Sequence, residues 1–164
     1  MRITVLMLLF LITVQVKSQH YTRDAGVRAG TFSTVCFRQY SADQKYSEVM
    51  LSLKRHAVRI TFLKEFAKPA FQEFSQNLHF IYGFGAHSGF SNSDHYRILN
   101  RTYFHNNYHF SPVFGIDGYL GMEYRFPEIP FLIGIDFKPF FEYSTNQFFS
   151  LFLDDTALVI KYKF

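Results

Sequence analysis

Tryptophan is absent from this 164-residue chain, cysteine occurs once, proline five times, and only 18% of the residues are charged. A single cysteine excludes an internal disulfide framework and a four-thiolate zinc site. The sparse charge, a formal +4 spread without a run, leaves no electrostatic footprint for nucleic acid. No stretch sustains an apolar heptad, which excludes a coiled coil. No phosphate loop, dinucleotide fingerprint or nucleotide-stacking motif is found. What is abundant is aromatic: 22 Phe and 11 Tyr bring the share to 20%. A chain this apolar offsets its ordering entropy, so it is not disordered. Its phenylalanine nevertheless exceeds what one compact core needs, and the surplus must face something else.

The first residues read differently from the rest. A basic start, Met1-Arg2, precedes an apolar run from Ile3 to Val14 broken only by Thr4 and Thr13. Small residues at Val16 and Ser18 follow, the pattern of a secretory signal peptide. Cleavage is expected after Ser18, with 1–18 as the signal peptide and 19–164 as the folded domain. The run falls short of the about 20 residues a helix needs to span a bilayer. Without Arg2 and Lys17 the chain keeps 15 basic and 13 acidic residues, so its basic character says little about partners.

Beyond residue 20 the recurring signal is alternation with period two, which places successive side chains on opposite faces of a strand. Phe131, Ile133, Ile135, Phe137, Phe141 and Tyr143 share a face, against Leu132, Gly134, Asp136, Lys138, Phe140 and Glu142. Phe114, Ile116, Leu120, Met122 and Tyr124 oppose Gly115, Asp117, Tyr119, Gly121, Glu123 and Arg125. Leu158, Ile160, Tyr162 and Phe164 oppose Ala157, Val159, Lys161 and Lys163. Similar, weaker patterns run through Ala25–Gly30, Val35–Arg38, Glu48–Lys54, Val58–Phe66 and Leu78–His87, which makes eight strands. Most approach the roughly 9–11 residues of a tilted membrane-crossing strand. The expected connections on the side of the termini are short: Ser41–Lys45, Ala67–Ser75 and the Pro127–Pro130 turn. Longer loops, Phe90–Ser111 and Ser144–Asp154, are expected on the other side, an asymmetry of outer-membrane barrels.

Alternation alone does not say which face is buried, because a soluble lipocalin-like barrel binding an apolar ligand also alternates. Seven of the nine glycines (26, 30, 83, 85, 115, 121 and 134) fall on the polar faces. A small eight-stranded interior, only just wide enough for side chains, needs such positions. The same faces carry both signs of charge. Arg28, Arg38, Arg59, Arg125, Lys138, Lys161 and Lys163 stand against Glu48, Glu65, Asp117, Glu123, Asp136 and Glu142, a set that can pair inside a barrel where a lone charge is costly. The apolar faces carry one clear charge, Lys64, near a strand end. The apolar face is therefore expected outward, towards lipid, with an ionic network filling the lumen.

Ala25-Gly26-Val27-Arg28-Ala29-Gly30, Tyr82-Gly83-Phe84-Gly85-Ala86-His87, Gly115-Ile116-Asp117-Gly118, the stretch from Glu123 to Pro130 and the closing Ala157–Phe164 strand together resemble the small eight-stranded outer-membrane β-barrel proteins of Gram-negative bacteria. The resemblance implies an all-β fold, an antiparallel up-and-down transmembrane β-barrel, located in the bacterial outer membrane. It also implies that Tyr162 and the terminal Phe164 form the signal read by barrel-assembly machinery. On activity it is nearly silent, since the group includes adhesion, structural and a few lipid-modifying members.

Candidate chemistry is thin. A lipid-modifying barrel enzyme would need Ser and His on one strand face; His87 and Ser88 are adjacent and point apart, while Ser93 and His95 fall in the long loop. His105 and His109 could share a metal only on a helix. In the same loop Tyr96, Arg97, Arg101, Tyr103 and Tyr108 suit a contact surface for an extracellular ligand or protein, although strand extension with aromatics at the interface explains them as well. Asn100-Arg101-Thr102 is a glycosylation sequon, relevant only in a eukaryotic secretory pathway. Cys36 is a lumen filler, and His79 and His87 are structural lumen residues. The expectation is a non-enzymatic monomer with no cofactor and no metal, held in outer-membrane lipid, with a structural or surface-interaction role.

Overall fold

Strands with one apolar and one charged face must segregate the two, and closing the sheet on itself does so while leaving no edge. The computed structural model describes residues 22–42, 44–54, 57–71, 76–98, 101–144 and 147–164. It contains β1 (Arg23–Gly30), β2 (Ser33–Ala42), β3 (Lys45–Lys54), β4 (Ala57–Pro69), β5 (Leu78–Ile98), β6 (Arg101–Arg125), β7 (Phe131–Phe137), β8 (Phe140–Ser144), β9 (Gln147–Phe152) and β10 (Thr156–Lys163). These segments build eight barrel strands, because β7 with β8 and β9 with β10 are successive pieces of single strands. β6 pairs with both β7 and β8, while β10 pairs with β7 and β9 with β8. Every pairing is antiparallel, and β1 against β10 closes the barrel. At the seam the Arg23 N–H donates to the Phe164 carbonyl at 3.1 Å and the Phe164 N–H to the Arg23 carbonyl at 2.9 Å. The rim holding this seam is the terminal rim; the opposite one is the far rim.

The register is staggered. The row Lys163–Asp24–Arg38–Glu48–Leu63–Gly85–Asp117–Phe140 ends on Phe152, far-rimward on the strand where it began. Such stagger obliges the strands to tilt and leaves an interior that side chains alone can fill.

Two expected loops are largely strand. β5 and β6 continue past the barrel as a two-stranded ribbon, from Ser91↔Ser111 to Ile98↔Arg101. Its alternation is hidden in sequence by an irregularity in which His105 to Tyr108 stand opposite the single residue Asp94. The second expected loop, 144–154, contains β9. There the chain changes faces: Ser150 is buried, Leu153 and Asp154 are exposed, and Asp155, Ala157, Val159 and Lys161 are buried. The parity therefore flips between β9 and β10, as one added residue in a strand requires. On the neighbouring strand Pro139 has no N–H to return the bond its carbonyl accepts from Gly118 at 2.8 Å, which divides β7 from β8. The terminal-rim turns are short as expected, although β4 runs on to Pro69.

The two faces are inverted relative to a soluble protein. Phe84, Ile116 and Leu158 are each 64% exposed, whereas Arg38 and Glu65 are 0% exposed. Inward glycines make room for this. A Cβ on Gly83 would stand 3.1 Å from Glu65 Cγ, one on Gly134 3.1 Å from Glu123 Cγ, and one on Gly26 2.6 Å from Lys161 Cγ. Each long charged side chain lies over the bare backbone of the adjacent strand. Gly118, by contrast, faces outward over the Pro139 ring.

Candidate functional site

The barrel interior gathers its charges into two clusters. Towards the terminal rim, β2 places Arg38 among carboxylates from β1, β3, β4 and β6. Its Nε lies 3.1 Å from Glu48 Oε2, 3.3 Å from Glu65 Oε2 and 3.7 Å from Asp24 Oδ1. Its Nη1 donates to Glu123 Oε2 at 3.0 Å while Nη2 engages the other oxygen, a bidentate pair of the strong kind. Lys161 Nζ joins Glu48 at 2.8 Å and approaches Glu123 at 3.9 Å. Arg125, less buried, donates to the Tyr46 hydroxyl at 3.1 Å and lies 3.7 Å from Glu123. Tyr40 donates to Asp24 at 3.3 Å. Lys163 sits at the rim itself and donates to the Phe126 carbonyl at 3.3 Å.

A layer of Cys36, Met50, Leu63, Ile81 and Tyr119 separates this cluster from the second. In the far-rim cluster Arg28 donates through Nε to Asp136 at 2.9 Å and through Nη1 to Asp155 at 2.9 Å. Its Nη2 also holds the Asp155 carbonyl at 3.0 Å, which pins the strand at its change of face. Lys138 bridges Asp117 at 3.0 Å and Asp155 at 3.7 Å. His87 faces Asp117 through Nδ1 at 2.8 Å and Glu142 through Nε2 at 3.3 Å. Arg59 pairs with Glu142 at 2.5 Å. Its guanidinium lies 4.6 Å from the Phe32 ring centroid and 4.7 Å from that of Phe140, a cation–π sandwich. Phe152 stacks on Phe140 at 4.7 Å.

All thirteen network candidates read from the sequence thus lie inward; eleven are buried, and Arg125 and Lys163 are half-buried at the terminal rim. Several partners were missing from that set. Asp24 and His87 carry the right parity, whereas Asp155 follows the change of face, and Phe32 and Phe152 come from a turn and an unrecognised strand. His79 is half-buried near the Asn77 carbonyl at 3.2 Å, and Cys36 is buried. Tyr162 and Phe164 face outward at the seam, their rings stacked at 6.3 Å.

The remaining candidates do not converge. Ser88 is exposed while His87 is buried, so no hydroxyl joins the Asp117–His87–Glu142 array from that position. The backbone puts Ser93, His95, Tyr96, Arg97, Arg101, Tyr103 and Tyr108 in the β5–β6 ribbon, with Tyr96↔Tyr103 opposed; their side chains, and all of Asn100, lie outside the described residues. His105 and His109 lie in β6 and not in a helix, so the helical spacing a shared metal needed is not present.

No protein-family model and no curated protein sequence matches the chain. Among solved structures it is similar to the N-terminal beta-barrel domain of Pseudomonas aeruginosa OprF, with a TM-score of 0.55 at 9% identity, covering 87% of this chain and 95% of that one. The likeness is one of fold: a closed antiparallel barrel shared almost without shared residues.

Proposed function

We propose that the chain is an integral barrel of a bacterial outer membrane, with a lumen filled by side chains and a non-catalytic role in structure or surface contact through the β5–β6 ribbon. The observation that carries this reading is the inversion of the two faces. Phe62, Phe84, Ile116 and Leu158 cover the outside while Arg28, Arg38, Glu48, Glu65 and Lys161 are almost fully buried. In water the outer surface would be one continuous apolar patch, far beyond what a soluble monomer carries; against hydrocarbon it is the favourable one. A soluble lipocalin-like barrel would need the reverse arrangement. Ion pairs run between non-adjacent strands of the lumen, from Arg38 on β2 to Glu123 on β6 and from Arg28 on β1 to Asp136 on β7, which favours a plugged interior over a general pore. The ribbon projects beyond the far rim, on the side away from the termini, and its outer strand edges, unpaired among the described residues, suit contact with an extracellular partner.

The test is fractionation with gel mobility of boiled and unboiled samples. The expected result is a membrane-bound protein whose unboiled form migrates faster; a protein that stays soluble without detergent overturns the reading. Removing Phe164 is expected to impair assembly more than any ribbon substitution, as read by the fraction reaching the fast-migrating form.

A further inference from the structure

The outward residues nearest the terminal rim differ around the circumference. From β5 to the seam they are aromatic: Phe80, Tyr82, Tyr124, Phe126, Phe131, Tyr162 and Phe164. From β1 to β4 they are mostly polar or basic, Arg23, Gln39, Ser41, Lys45, Ser47, Lys64 and Lys68, with Phe66 between the two lysines of β4 and no acidic residue among the described outward positions of those strands. Lys64 lies opposite Ser47, and its ammonium turns towards the rim, donating to Ser47 Oγ at 3.1 Å and Ser41 Oγ at 3.4 Å. The two hydroxyls are themselves 3.4 Å apart. Lys68, nearer the rim on the same strand, holds its ammonium 5.5 Å from the Tyr82 ring centroid. None of Arg23, Lys45, Lys64 and Lys68 takes part in an ion pair among the described residues.

We propose that this strip binds the phosphodiester headgroup of an anionic phospholipid in the leaflet at the terminal rim, an inference that rests on the membrane reading above. Among the described residues these four cations face no carboxylate, and such a positive field attracts an anion from outside the barrel. The ammonium of Lys64 and the Ser41 and Ser47 hydroxyls supply several donors within one headgroup's reach. The arrangement is anchored as a lipid site would be: Lys64 emerges from an apolar face, with Phe62 and Phe66 on either side along β4, and its stem runs towards the polar boundary. The aromatic remainder of the rim suits the uncharged interface, so the selectivity for charge is confined to one sector.

The experiment uses the mature protein refolded into vesicles of phosphatidylcholine alone or with phosphatidylglycerol, then extracted gently and weighed by native mass spectrometry for retained lipid. Wild type is expected to retain phosphatidylglycerol preferentially. Lys64→Gln is expected to lower that preference by about fivefold, the effect of about one cation near an anionic surface, and Lys68→Glu, which changes the charge by two, by more. Equal retention of both lipids by a protein that has inserted overturns the site. Inorganic phosphate displacing the lipid at submillimolar concentration assigns it to free phosphate and overturns the lipid identity. A protein that never inserts is a failure of the membrane reading, visible separately as loss of the fast-migrating band. Should Lys68→Glu prevent insertion, Lys64→Gln, which keeps a polar side chain of similar length, carries the test.

Discussion

The two ends of the barrel interior hold the same number of carboxylates, Asp24, Glu48, Glu65 and Glu123 at one and Asp117, Asp136, Glu142 and Asp155 at the other, yet they are wired differently. The terminal-rim cluster is a hub, in which all four acids lie within 3.7 Å of the Arg38 guanidinium. The far-rim cluster is a chain, in which Arg28, Lys138 and His87 each link two acids and Arg59, paired with Glu142, ends it between the rings of Phe32 and Phe140. A hub concentrates the cost of losing one residue; a chain divides it. Each hub member also sits in a stretch of unbroken alternation, whereas the chain takes Asp155 from the point where a strand changes face.

The difference can be broken most directly at Arg38. Arg38→Met keeps an unbranched side chain but leaves four buried carboxylates against Lys161 and the more distant Arg125. The expected loss is about 3–5 kcal/mol, the cost of stripping a buried charge of its partner. Urea unfolding in vesicles measures it, followed by far-UV circular dichroism because the chain has no tryptophan. A wild-type midpoint would mean that the hub has no special weight. Asp155→Asn cuts one link of the chain while Asp136 still holds Arg28 at 2.9 Å, and is expected to cost about 2 kcal/mol, a charged hydrogen bond weakened rather than a charge orphaned. A loss as large as that of Arg38→Met would erase the distinction between hub and chain.

The same contrast explains what the sequence made legible. The hub follows from parity alone: Arg38, Glu48, Glu65, Glu123 and Lys161 each fall on the Gly-rich face of an alternating run, and a barrel of this size brings such faces together. The eight strands, their antiparallel order and the outward turn of Phe and Tyr were legible for the same reason. The chain was only half legible. Asp155 sits where the parity flips, and no local pattern announces a flip. Phe32 sits in a two-residue turn, where nothing in period two says that a ring folds inward. The ribbon was read as loop because three extra residues on β6 interrupt its alternation. The pairing of particular ions lies beyond any strand-by-strand reading, since it depends on a stagger that puts Asp24 of β1 and Asp117 of β6 on one row.

Phe32 tests how much the cap adds to the chain. Phe32→Leu keeps an apolar side chain over the far mouth but removes the ring beside Arg59, at 4.6 Å, and Lys54, at 4.9 Å. The expected loss is about 1 kcal/mol, within the range of a cation–π contact, because Glu142 and the Phe140 ring still hold the buried Arg59. The same unfolding measurement checks it, and a loss matching Asp155→Asn would show that aromatic capping rather than ion pairing holds the far end.

The smallest expected effect is the coupling between the ends. The hydroxyl of Tyr119 reaches Asp136 at 3.2 Å across the apolar layer, in which the uncharged side chains of Cys36, Met50, Leu63 and Ile81 pack together. Residues that share no partner add their effects to within about 0.3–0.5 kcal/mol. The Arg38→Met/Asp155→Asn double variant is therefore expected to lose the sum of the single losses within that margin. A coupling above about 1 kcal/mol, well outside additivity, would show one continuous network with Tyr119 as its link. Repeating the cycle on Tyr119→Phe would then have to abolish the coupling. If it persisted, the ends would be communicating through the strands themselves, because moving one charge cluster would be shifting the stagger that positions the other.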